Sequence, residues 1–110
     1  MIKVKITRCA DHSIGSFELS GHAESGPKGH DLVCAGVSAI SFGTVNAIYQ
    51  LTQTELIIEQ GKQGGFLRCV VPDTIDQGTE EKIQLLLEGM LVSLQTIERD
   101  YGKYIKIYEK

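Results

Sequence analysis

Short alternating runs of apolar and polar residues flank two long segments with helical spacing. Lys3 to Thr7 reads Lys-Val-Lys-Ile-Thr, which puts Ile2, Val4 and Ile6 on one face and the lysines on the other. Ile14 to Gly21 alternates again with Phe17 and Leu19 inward, and Asp11-His12-Ser13 supplies turn chemistry between the runs. The two strands are predicted to form a hairpin. From Gly21 to His30 there is no periodicity, and Gly21, Gly26, Pro27 and Gly29 stand among polar residues. That composition predicts a mobile surface loop. Asp31 then reads as the N-cap of a helix running to about Gln50.

Leu56-Ile-Ile-Glu and Phe66 to Val71 predict a second hairpin, joined through Gly61, Gly64 and Gly65. A second helix is expected from about Thr79, read as its N-cap, with Glu80 and Glu81 at the positive end of the dipole. Its apolar residues Ile83, Leu86, Leu87, Met90, Leu91, Leu94 and Ile97 recur at intervals of three and four. Gly102 stops it, and Tyr104 to Tyr108 alternates as a last strand with Ile105 and Ile107 inward. The order ββαββαβ predicts an α/β fold, two helices packed on a mixed, largely antiparallel sheet.

With 110 residues the chain suits one domain, residues 1–110, around a single core. A net charge of −3 argues against direct nucleic-acid binding, which usually needs a basic face. Three cysteines, Cys9, Cys34 and Cys69, have no paired spacing, so a disulfide framework is not expected and a reducing, cytoplasmic setting is. The alternating N-terminus does not resemble a signal peptide. Leu32 to Thr54 carries no charge and is long enough to span a bilayer. Its many polar residues and its glycines favour instead a buried helix of a soluble domain, with no membrane partner.

Position separates the three thiols. Cys69 alternates with Leu67 and Val71 and is expected to point into the core as an inert hydrophobe. Cys9 ends the first strand on its lysine face with little around it. Cys34, three residues after the expected N-cap, would lie in the first turn of the long helix. There the unpaired N–H groups and the dipole favour a thiolate, the nucleophile that acyl transfer needs; a buried helix residue between Val33 and Val37 is the plain alternative. His22 opens the glycine-rich loop and His30 closes it. The loop can fold His22 over Cys34, where an imidazole takes the thiol proton and returns it to a leaving amine. Gly21 and Ala23 beside it leave room for a substrate backbone. Asp31 either caps the helix or orients a histidine, with the cap favoured. Ser38, one turn beyond Cys34, either hydrogen-bonds in the site or bonds back to the Cys34 carbonyl.

Gly21-His22-Ala23, followed by Gly29-His30-Asp31-Leu32-Val33-Cys34-Ala35-Gly36-Val37-Ser38, resembles the signature of the ribosomal-processing cysteine protease Prp family. The resemblance continues through Phe42-Gly43 and Val45-Asn46-Ala47 to Met90-Leu91-Val92-Ser93-Leu94, so it covers essentially the whole chain. It implies a cysteine endopeptidase that removes the N-terminal extension of a bacterial large-subunit ribosomal protein, the twenty-seventh, cutting after an aromatic residue. It implies a His22–Cys34 catalytic dyad, supporting roles for Asp31 and Ser38, and homodimers; no cofactor is expected. The loop residues 24–28 have no matched roles.

Two other readings compete. His22, His30, Asp31 and Cys34 carry zinc-ligand atoms, but the spacing H-x7-H-x3-C fits no standard zinc pattern. A non-catalytic, ribosome-associated binding or regulatory module would use the acidic charge to hold a basic ribosomal protein without cutting it. A thiol-redox role is weaker, because no resolving cysteine lies near Cys34 in sequence.

Overall fold

The alternating runs pair into one five-stranded sheet, and the two helices supply its cover. The computed structural model describes residues 1–21, 27–61, 65–73 and 75–110, with residues 27–31 described by backbone alone. The elements are β1 (Ile2–Arg8), β2 (Ile14–Ser20), α1 (Pro27–Thr52), β3 (Ile57–Gln60), β4 (Phe66–Val70), α2 (Gln77–Tyr101) and β5 (Ile105–Glu109). The spatial order is β3-β4-β2-β1-β5. β1 with β2, β2 with β4 and β3 with β4 run antiparallel, while β5 lies parallel to β1. This is the expected mixed, largely antiparallel sheet with the ββαββαβ order.

Burial follows the pleat. Ile2, Val4 and Ile6 of β1, Phe17 and Leu19 of β2, Leu67 and Cys69 of β4 and Ile105 of β5 face one core. Lys3, Lys5 and Thr7 on the alternate positions are exposed. An antiparallel sheet tolerates water on one face because the alternation keeps its apolar set on the other. Val33, Val37 and Ile48 of α1 join Ile83, Leu87, Met90, Leu91 and Leu94 of α2 in the same cluster. Gly36 lets the helices approach, since a side chain there would press on Ile97 of α2. Gln84 ties α2 to the start of β2: its side-chain oxygen accepts from Ile14 N–H at 2.8 Å, and its amide donates to the Ile14 carbonyl at 2.8 Å.

Two helix starts differ from expectation. α2 is capped by Asp76, whose carboxylate accepts from Thr79 N–H at 2.9 Å and from the Thr79 hydroxyl at 2.9 Å. Thr79 is therefore the capped residue and not the cap. α1 begins at Pro27, four residues before Asp31. Proline suits a first helical position because it lacks an N–H that would go unpaired there and its φ is already helical. Gly29 weakens the helical signal of Lys28-Gly29-His30-Asp31, and so that stretch reads as loop in sequence. Gly29 and His30 are thus helical, and the segment left between β2 and α1 is shorter than expected.

Leu32–Thr52 has the length and hydropathy (1.6) of a membrane span, with 22% of that stretch buried. Its inner side sits in the core with α2 and the sheet, while Leu32, Phe42, Tyr49 and Leu51 are exposed.

Candidate active site

α1, the end of β2, the start of β4 and the start of β1 enclose a cleft of about 420 Å³. From α1 it receives Cys34, Val37, Ser38, Ser41 and Phe42; from the sheet, Ile2, Leu19, Phe66 and Leu67. Gly21, Gly61 and Gly65 form part of the rim. None of the described lining residues carries a formal charge. These described walls are largely apolar and reward apolar surface.

Cys34 lies half-buried in this cleft. It is seven residues past Pro27, roughly 10 Å along the helix from its N-terminus, well outside the first turn. This corrects the expected position: the dipole effect fades within a turn, so the helix N-terminus does not explain activation of Cys34. Asp31 is inside α1 and is not its N-cap, because a cap residue flanks the helix with non-helical backbone. By helical position Asp31, Cys34 and Ser38 follow one stripe at intervals of three and four. Ser38 is exposed in the cleft lining.

The other two thiols behave as their positions predict. Cys69 is fully buried, and burial pushes its thiol up to about 11. Cys9 is exposed and lies outside the cleft, beside Gly15.

Gly21 is the described residue nearest to His22, and its conformation is tightly set. Its φ is +86°, and a Cβ would overlap the Met1 carbonyl oxygen, so both backbone angle and space demand glycine. Its N–H donates to the Gly65 carbonyl at 2.9 Å. The direction in which the chain leaves β2 is therefore fixed at the cleft rim. His22, Ala23 and Gly26 themselves lie outside the described residues, as do the side chains of His30 and Asp31; of Gly29 the structure describes only the helical backbone.

Comparison with known proteins places this geometry in a lineage. The family model for cysteine protease Prp matches residues 1–106. The chain belongs to the Prp family of cysteine proteases. The ribosomal processing cysteine protease Prp of Bacillus subtilis strain 168 is 46% identical over 107 residues, covering 97% of this chain and 96% of that one. The Staphylococcus aureus Prp is 42% identical, and its crystal structures superpose with a TM-score of 0.87 over all of both chains. One of these is a complex with a covalently linked product peptide and another a complex with a substrate peptide. The chain is accordingly a cysteine protease of the ribosomal processing type.

Sequence reading alone does not single out Ser41, which the structure places in the same cleft. The signal available for it is spacing: residues 34, 38 and 41 continue the stripe begun at 31.

Proposed function

We propose that this Prp-family protease removes the N-terminal extension of a bacterial large-subunit ribosomal protein, the twenty-seventh, with Cys34 as nucleophile and His22 as general base and acid. The observation that carries the reading is the shared cleft: Cys34 lines one wall, and Gly21, bonded directly to His22, lines the rim. The described lining residues include no imidazole or carboxylate, which favours a base from the adjoining segment. The covalently linked product peptide of the Staphylococcus aureus relative supports covalent chemistry of this kind.

In the proposed sequence His22 takes the Cys34 thiol proton and the sulfur attacks the scissile carbonyl. The tetrahedral intermediate collapses to a thioester as the imidazolium protonates the leaving amine. Water, deprotonated by the same imidazole, hydrolyses the thioester and restores the thiol. The uncharged, apolar cleft fits the aromatic residue expected beside the bond.

His30, one turn before Cys34 on α1, is the competing imidazole once the helix is seen to start at Pro27. Incubation with the ribosomal-protein precursor, followed by mass spectrometry of the new termini, separates the two. His22→Ala should slow cleavage by about 10²–10⁴ fold, while His30→Ala should retain most of it. The opposite ranking transfers the base to His30, and an uncut precursor rejects the substrate.

Apolar residues exposed around α1, among them Phe42, Tyr49 and Leu51, support the expected homodimer, since apolar surface of this kind favours association. A monomeric mass in light scattering across micromolar concentrations would contradict it. The cytoplasmic location, where ribosomal proteins are made, belongs to the same proposal.

A further inference from the structure

The helices of this protein carry hydroxyl side chains, and most of these are satisfied locally. Thr44 donates to the Ile40 carbonyl at 2.6 Å, Thr52 to Ile48 at 2.6 Å, Ser93 to Gly89 at 2.9 Å and Thr96 to Val92 at 2.9 Å. Ser41 departs from this habit. It is 1% exposed, yet its hydroxyl has no protein hydrogen-bond partner among the described residues. A buried polar group left unpaired costs stability, and such groups are rare enough in folded proteins to call for a reason. Ser41 also lines the cleft that holds Cys34, among Val37, Phe42 and Leu67.

Its position relative to the nucleophile is set by the helix. Seven residues bring the chain to within about 20° of two full turns, so Ser41 lies on the Cys34 side of α1. The rise over those residues is roughly 10 Å, the length of about three residues of extended peptide. Ser41 lines the cleft yet is almost wholly buried, so a substrate side chain reaching into the cleft is better able to meet it than a substrate backbone is. A rotation about χ1 moves a serine hydroxyl between its staggered positions, so it can turn toward such a side chain. The described residues beside Ser41 in the cleft, Val37, Phe42 and Leu67, are all apolar, so a neutral polar tip suits the position better than an ion, which would be desolvated among them.

We propose that Ser41 is a specificity residue: its hydroxyl hydrogen-bonds a carboxamide or hydroxyl side chain on the substrate residue about three positions from the scissile bond. The proposal rests on the protease reading above and adds a recognition element to it. In this view the unpaired hydroxyl is a binding group kept ready for substrate, at a cost to the stability of the empty enzyme.

The test is Ser41→Ala, assayed with a peptide spanning the ribosomal-protein extension and with its single alanine replacements. Ser41→Ala should keep or raise the melting temperature, raise KM for the parent peptide about tenfold and leave kcat nearly unchanged, the pattern of a lost binding contact. One alanine replacement, about three residues from the cleavage point, should weaken the wild type and have little further effect on Ser41→Ala. If Ser41→Ala lowers the melting temperature with KM unchanged, the hydroxyl is structural and the proposal is wrong. It is equally wrong if no peptide position shows an effect that depends on Ser41. Failure of the underlying reading is visible separately, as a wild-type enzyme that leaves the parent peptide uncut.

Discussion

Replacing Gly21 by alanine tests whether the backbone beside His22 is held as rigidly as its surroundings require. Two costs add. A residue with a Cβ at φ +86° loses about 1–2 kcal/mol relative to glycine. The new methyl also meets the Met1 carbonyl oxygen, a backbone atom that no rotamer change can move away. Relief requires a shift of the first residues of β1, where Ile2 is buried and its N–H donates to the Tyr104 carbonyl at 2.8 Å. Weakening that bond costs about 1 kcal/mol more. The sum, about 2–3 kcal/mol, lowers the melting temperature of a domain this size by roughly 10 °C or more. Thermal and urea unfolding followed by circular dichroism measures it directly. Gly89→Ala is the control: Gly89 is an exposed helical residue with open space around it, and alanine there should add about 0.5–1 kcal/mol. A Gly21→Ala protein melting within about 2 °C of wild type would refute the reasoning, which predicts at least four degrees per kcal/mol.

Arg8 grips Glu88 through two nitrogens at 2.6 and 3.0 Å and reaches Glu109 at 3.1 Å, joining β1 to α2 and β5. The hydrogen bond from Arg8 holds the Glu88 carboxyl below its ordinary range, so this stability is present above that range and is lost as pH falls through the depressed value. Arg8→Ala should cost about 1 kcal/mol at pH 7, and urea titrations should show the difference from wild type shrinking toward pH 3; an undiminished difference would rule the ion pair out. For Cys69 the sign is reversed, because burial raises its thiol to about 11 and the unfolded thiol ionises first. Stability should therefore decline between about pH 9 and 11, and a Cys69→Ala variant, whatever its overall stability, should lack that component of the decline.

Much of the architecture was legible because local pattern and tertiary burial agree. The stripe from Ile83 to Ile97 faces the core on α2, and the alternation of Ile2, Val4 and Ile6 matches the pleat of β1. The parallel pairing of β5 with β1 is a long-range fact that neither strand's own pattern contains. The start of α1 was hidden because Pro27 and Gly29 suit both a turn and a helix entry, and only the folded chain decides between them. Cys34 does line the cleft, but the helix-dipole argument that singles it out does not hold: it is well inside α1, not at its positive end. Asp31 failed as a cap for the same reason. Ser41 stayed hidden because a serine within a long uncharged helix looks ordinary until its burial and missing partner are known.

Cleavage of the ribosomal-protein precursor by the Cys34→Ala variant, followed by intact-mass spectrometry beside wild type, bears most directly on the central claim. Alanine removes the sulfur and leaves a helix that tolerates the smaller side chain, so the variant should fold and bind the precursor as wild type does. The account predicts a shortened product and a released extension with wild type, and an uncut precursor with Cys34→Ala over the same interval. Equal cleavage by purified Cys34→Ala would show that another group carries the chemistry.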